Sequence, residues 1–231
     1  MRPRAPARSA GTLTSGSMGN ARAGSYIEVG RPRGHTGFAG VLLHGRGIAA
    51  EGKVDLAARL GNLAGIRWIV PGLDIVSWYP NRFSDPVQSN EPYLTEAVER
   101  CREALEEASE DGRLGPEQLA LVGFSQGACV ALEFALRYPG RAKFIVVLTG
   151  ALMGPPGSDR RVSGGGTLEG MQIFLTGSDA DEWIAEQATR ETARALERLG
   201  ADVALRIYRG RSHIVCEEEL AEVRSLLENK L

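Results

Sequence analysis

Along the chain, short apolar runs alternate with stretches whose apolar residues recur every three or four positions. Four runs, at residues 40–43, 119–123, 144–148 and 171–175, are apolar on consecutive rather than alternating positions. That pattern predicts strands covered on both faces, as in a parallel sheet flanked by helices. Residues 66–70 and 203–208 predict two further strands. Within residues 91–108, Leu94, Val98, Cys101, Leu105 and Ala108 fall at helical steps, with Asn90 as the expected N-cap and Pro92 in the first turn. Ile184, Ala188, Ala195 and Leu199 form a second helical stripe ended by Gly200, and Leu220, Val223, Leu226 and Leu227 form a third. Residues 154–170 hold two prolines and three successive glycines (Gly164, Gly165, Gly166) without any period, which predicts a long loop. The alternation as a whole is that of βαβ units around one mostly parallel sheet, an α/β fold.

Residues 1–24 break the pattern. They are Arg, Ala, Ser, Gly and Pro around a single Leu13, too little apolar surface to offset the entropy of ordering, so a disordered tail is expected ahead of one domain at residues 25–231. An organelle transit peptide, or a start at Met18, are the alternatives for this segment.

Composition narrows the class. A chain of 231 residues, 43% hydrophobic and 24% charged, matches a single domain with a sizeable core. It carries 27 basic and 29 acidic residues; four arginines and no acid lie in the first 24 positions, so the remainder has a net charge of −6. A mildly acidic body argues against a nucleic-acid partner. The longest strongly apolar run, residues 144–148, is far below the roughly 18 residues of a membrane span. Three scattered cysteines (Cys101, Cys129, Cys216) and three histidines suggest neither a disulfide framework nor a zinc site, and a reducing compartment, the cytoplasm, is expected.

The chemistry concentrates after the apolar run 119–122. There the chain reads Gly123-Phe124-Ser125-Gln126-Gly127 and continues into a helical pattern, residues 128–137. This is G-x-S-x-G at a strand-to-helix turn, where the serine backbone is forced into a strained conformation and glycines on both sides prevent collision. The hydroxyl then stands at a helix N-terminus, whose free N–H groups and dipole favour a developing oxyanion. A serine needs a base to take its proton and the base needs a carboxylate to orient it. Only one histidine follows Ser125: His213, 88 residues on, just past a predicted strand and before the last helix. It is the base by elimination and by position. The acid is expected after the run 171–175, where Asp179 and Asp181 both stand, each also a good helix N-cap. The second half of an oxyanion hole is expected in Leu42-Leu43-His44-Gly45-Arg46-Gly47, with the Arg46 N–H paired to the N–H of Gln126. His44 precedes the serine and is assigned a structural role, and the Arg46 side chain is expected to be solvated.

Leu43-His44-Gly45-Arg46-Gly47, Gly123-Phe124-Ser125-Gln126-Gly127, residues 177–181 and Tyr208-Arg209-Gly210-Arg211-Ser212-His213, in this order, resemble the phospholipase/carboxylesterase family of α/β-hydrolases, over residues 37–228. Ser77-Trp78-Tyr79-Pro80 and Asn90-Glu91-Pro92-Tyr93-Leu94 are similar to its bacterial esterase branch. The resemblance implies an α/β-hydrolase fold with little or no lid, working without cofactor or metal. It aligns Asp181 with the family's acid, although the two prolines usual in that segment are absent from Asp181-Glu182-Trp183-Ile184-Ala185. The activity it implies is hydrolysis of carboxylic esters or thioesters through an acyl-serine, with Ser125, His213 and Asp181 as the triad and the Arg46 and Gln126 amides as the oxyanion hole. Trp78, Tyr79 and Trp183 offer flat apolar surface and are expected at the substrate pocket, with a role as buried packing residues as the alternative. The expected partner is a small-molecule or lipid ester, with no stable membrane insertion, in a monomer or homodimer. A ligand-binding homologue without catalysis and an acyltransferase using the same serine are the alternative functions.

Overall fold

Seven strands and five helices account for the regular structure of the computed structural model, which describes residues 26–48, 50–61, 65–72 and 74–229. The expected tail at residues 1–24 lies outside them. The strands are β1 (Tyr26–Gly30), β2 (Phe38–Leu43), β3 (Ile66–Pro71), β4 (Leu119–Phe124), β5 (Phe144–Leu148), β6 (Gln172–Ser178) and β7 (Asp202–Tyr208). They form one sheet in the order β1-β3-β2-β4-β5-β6-β7, with every pair parallel except β1 against β3. The helices are α1 (Ala50–Gly61), α2 (Tyr93–Ala108), α3 (Gln126–Arg137), α4 (Glu186–Arg198) and α5 (Glu217–Glu228).

The consecutive apolar runs are explained by this arrangement. Successive strand residues point to opposite faces, so Ala39, Val41 and Leu43 of β2 belong to the apolar layer that α2, α3 and α4 cover, whereas Phe38 and Leu42 belong to the layer that α1 and α5 cover. Both faces are dry, and no polar alternation survives in β2 to β5. Chain order reverses between β2 and β4: β3 lies to one side of β2, and β4 to the other. In open α/β sheets ligands bind beyond the strand carboxyl ends at such a switch point.

Two elements escape the apolar pattern. β1 is an edge strand in which Glu28 interrupts the run; Glu28 instead receives the fully buried Arg67 of β3 through Nε at 3.1 Å and Nη2 at 2.8 Å. Helix α1 buries Leu56, Ala57 and Leu60, and with them the polar Lys53, whose Nζ donates to the Gly72 and Ile75 carbonyls at 3.1 and 2.6 Å. Two expectations need correction. Asn90 does not cap α2, which starts from Pro92; its side chain is buried, accepting the Asn81 N–H at 2.9 Å and donating to the Arg82 carbonyl at 3.3 Å. On α4 the buried stripe is Thr189, Thr192, Ala193 and Leu196, rotated from the Ala188–Ala195 line, which brings the Thr192 hydroxyl to accept the Leu152 N–H at 2.9 Å; of the expected residues, Ile184 is buried and Leu199 packs against the core. Both the 154–170 loop and β6 match expectation, except that β6 runs on to Ser178.

Packing across the sheet is close where Gly40 faces Trp68 on the neighbouring strand. A methyl group on residue 40 would lie 2.3 Å from the ring of Trp68, itself fully buried. Gly40→Ala should therefore cost about 1–3 kcal/mol through overpacking, read as a lower midpoint of urea unfolding with an unchanged m-value.

Candidate active site

Ser125 occupies the single residue between β4 and α3, at φ 54° and ψ −117°. Such a backbone costs on the order of 1–3 kcal/mol for a residue with a side chain and persists only where the surroundings impose it. The surroundings here are backbone. A Cβ at Gly123 would meet the Gly127 carbonyl oxygen at 2.4 Å, and one at Gly127 would meet the carbonyl oxygens of Leu43 at 2.3 Å and His44 at 2.6 Å. Both flanking glycines are thus required by contact, as the motif implies. Gln126 is the first residue of α3, so its N–H has no acceptor within the helix. The loop after β2 comes alongside: a Cβ on Gly45 would lie 3.4 Å from the Cβ of Ser125.

Two later strands bring their loops to the same point. The His213 Nε2 lies 2.7 Å from the Ser125 Oγ, and its Nδ1 lies 2.8 and 3.0 Å from the two carboxylate oxygens of Asp181. The Asp181 side chain is buried, and its Oδ1 also accepts the N–H groups of Trp183 and Ile184, both at 2.8 Å. Burial pushes this carboxyl up, but the His213 ring and the two N–H donors outweigh it and hold the carboxyl below its ordinary value. The other aspartate faces away: Asp179 accepts the Gly210 N–H at 2.7 Å and the Arg209 Nη1 at 3.0 Å. His213 is steadied on three sides, by the Phe124 ring at 5.4 Å, by the Trp183 ring at 6.5 Å, and through its own N–H, which donates to Glu182 Oε2 at 3.1 Å.

The remaining expected residues fall into two groups. Trp78 and Tyr79 are buried in the core beside β2 and α3 rather than forming an open wall. The Trp78 indole N–H donates to the His44 carbonyl at 2.8 Å, and its ring lies 4.8 Å from the His44 ring. His44 is buried too, with its ring nitrogens 2.8 Å from the Gly45 carbonyl and 3.0 Å from the Gly72 carbonyl, and burial lowers its pKa. Trp183, by contrast, is 73% exposed and lines a cavity of about 450 Å³ with Phe83, Leu152, Met153, Pro156 and Ala188. The Arg46 side chain is not simply solvated: its Nη2 donates to the carbonyls of Tyr79 and Asn81, both at 2.8 Å. Sequence reasoning missed the side chain of Gln126. Its Oε1 accepts the Trp78 N–H at 2.8 Å and its Nε2 donates to the Tyr79 carbonyl at 2.7 Å, tying the 77–79 loop to the elbow. An amide at the first position of a helix whose next six residues carry no polar side chain is the available signal. Among the described residues there is no cluster of three or more His, Cys, Asp or Glu suited to a metal ion, and no helix long and apolar enough to cross a membrane.

The model of the family described as Phospholipase/Carboxylesterase matches residues 26–231, and the chain belongs to that family. It is similar to the solved structure of a phospholipase/carboxylesterase from Dyadobacter fermentans DSM 18053, at 30% identity and a TM-score of 0.78, covering 91% of this chain and 98% of that one. The fold is that of the α/β-hydrolases. It is also similar to proteins named acyl-protein thioesterase 1: 27% identical over 124 residues in Schizosaccharomyces pombe, covering 48% of this chain, and 24% over 160 residues in Gibberella zeae, covering 69%. These two matches span 55% and 65% of the relatives' own lengths.

Gln126→Ala would leave the buried Trp78 N–H without its acceptor and free the Tyr79 carbonyl. The expected loss of stability is about 1–3 kcal/mol, measured by urea unfolding, together with faster proteolytic cutting in the 77–82 loop.

Proposed function

We propose that this member of the phospholipase/carboxylesterase family is a serine hydrolase, cleaving carboxylic esters or thioesters through an acyl-serine intermediate. One observation carries the reading: the unbroken line from the Ser125 hydroxyl through both nitrogens of His213 to the buried Asp181 carboxylate, at 2.7 and 2.8 Å. Ser125 Oγ attacks the carbonyl carbon while His213 Nε2 takes the hydroxyl proton. The oxyanion that forms is received by the N–H groups of Gln126 and Arg46. On collapse of the intermediate, His213 returns the proton to the departing alcohol or thiol, leaving the acyl group on Ser125. A water then loses its proton to His213 and attacks the acyl carbon; as the bond to Ser125 Oγ breaks, His213 returns that proton to the serine oxygen and the acid leaves. Asp181 holds the Nδ1–H tautomer and offsets the charge of the imidazolium. No step calls for a cofactor or a metal.

The cavity beside Trp183, whose lining joins the apolar Phe83, Leu152, Met153 and Pro156 to the charged Arg160, Glu191, Arg194 and Arg198, is the place this reading gives to the substrate's acyl or leaving group. A small ester or a lipid ester fits that chemistry, and residues 25–231 are taken as the one domain needed for it.

Ser125→Ala should lower kcat by about 10⁴ to 10⁶, with His213→Ala comparable and the double variant little worse. Fluorophosphonate should label the wild-type protein at Ser125; a protein that binds esters but stays unlabelled would be the non-catalytic homologue. Asp181→Asn should lower kcat by about 10⁴, whereas Asp179→Asn, which loses only contacts to Arg209 and Gly210, should do far less. A larger loss in Asp179→Asn moves the acid to that residue. p-Nitrophenyl esters from acetate to palmitate, run beside lysophospholipids and acyl thioesters, identify the acyl chain and leaving group.

A further inference from the structure

Ser125, Asp181 and His213 sit on loops that leave three different strands, β4, β6 and β7, and nothing in a loop alone keeps three side chains in line. Beneath them lies a buried polar network made by none of these residues. Arg211 stands two positions before His213, yet its side chain turns inward. Its Nη1 donates to Glu219 Oε2 at 2.6 Å and its Nη2 to Thr149 Oγ1 at 2.8 Å. The guanidinium also lies over the Tyr208 ring, 4.9 Å from its centre. Glu219, in the first turn of α5, accepts the Thr176 hydroxyl on its other oxygen.

Each arm of this network reaches one of the three loops. Toward the base, Arg211 is itself part of the loop. Toward the acid, the Arg211 carbonyl accepts the Ser178 hydroxyl at 2.5 Å, and Ser178, the last residue of β6, also accepts the Ala180 N–H at 3.1 Å just before Asp181. Toward the nucleophile, Thr149 donates its N–H to the Thr176 Oγ1 at 3.0 Å, and the preceding residue, Leu148, accepts the Ser125 N–H through its carbonyl at 3.0 Å. Thr149 is held at φ 54°, a left-handed conformation rare for a β-branched residue. Arg211, Glu219, Thr149, Thr176 and Ser178 are all buried.

We infer that these five are positioning residues, a single buried network that sets the elbow, the acid loop and the base loop against one another. The inference rests on the serine-hydrolase reading above. A buried Arg–Glu pair is a poor source of net stability, because apolar residues of similar volume often do as well or better. What the pair supplies is direction: a guanidinium with fixed donors at fixed angles ties the loop after β7 to Thr149 just past the end of β5 and to Glu219 of α5, which also holds Thr176 of β6. Alignment of reacting groups is sensitive to such support, as a displacement of about 1 Å costs about 10²-fold in rate.

The test separates position from stability. Arg211→Met leaves Glu219 buried without its cation, so both melting temperature and kcat should fall. The apolar pair Arg211→Met with Glu219→Leu should recover much of the melting temperature, while kcat on a p-nitrophenyl ester stays at least about tenfold below wild type and KM within about threefold. Ser178→Ala, which removes one hydroxyl, serves if the pair does not fold, with an expected kcat loss of about fivefold at nearly unchanged KM and melting temperature. A kcat that returns with the melting temperature in the double variant, or a Ser178→Ala kcat within twofold of wild type, overturns the inference. Wild type and Ser125→Ala are assayed in parallel, so failure of the hydrolase reading shows as an inactive wild type. In that case crystal structures of the same variants decide: the network stands if His213 Nε2 leaves the Ser125 Oγ, 2.7 Å away in the wild type, and falls if that contact is kept.

Discussion

The first turn of α3 runs directly under the carbonyl groups that end β2, and the whole carboxyl end of the sheet is arranged around that contact. It is possible only because residue 127 has no side chain; the carbonyl oxygens of Leu43 and His44 already stand where a Cβ would be. The same closeness forces Ser125 into its strained backbone and turns its hydroxyl out of the sheet. It also brings the 44–47 loop within reach of the serine. Strain of this kind needs a rigid frame, and the frame is supplied by β2, β4 and β5, buried along their length but for Phe124 at the end of β4.

Around this contact the loops are held by side chains rather than by regular structure. Buried backbone groups need partners, and where the chain leaves the ladder they are supplied singly. Gln126 serves Trp78 and Tyr79, Asn90 serves Asn81 and Arg82, Arg46 serves Tyr79 and Asn81, and Trp78 serves His44. On the far side, Thr192 does the same for Leu152 at the edge of the cavity. The floor of the site is therefore ordered by polar groups that the apolar pattern of the helices does not announce.

Electrostatics alone does not distinguish the two aspartates. Both carboxyls are held below the ordinary value, Asp179 by the Gly210 N–H and Arg209, and Asp181 by His213 and two backbone N–H groups working against burial. Direction distinguishes them. They are two residues apart in a short segment past β6, one turned toward the β7 end at Gly210 and the other toward the His213 ring.

Local pattern determined a good deal. Consecutive apolar runs mark β2, β4, β5 and β6 because a strand buried on both faces has no polar side to show, and G-x-S-x-G between such a run and a helical stripe names Ser125 without any structure. His213 follows because one histidine alone lies downstream. The sequence pattern does not reveal β1, whose edge position admits Glu28, or the true burial of Trp78 and Tyr79. It leaves Asp179 and Asp181 equal until a resemblance is invoked, since spacing says that they diverge but not which one meets the ring. Nor does it mark Arg211, Glu219, Thr149 and Ser178 as neighbours, separated as they are by up to 70 positions. Those choices were made by the tertiary structure, because a hydrogen bond depends on distance and angle between groups that only the assembled sheet brings together, whereas burial of an apolar face is written in the order of neighbouring residues.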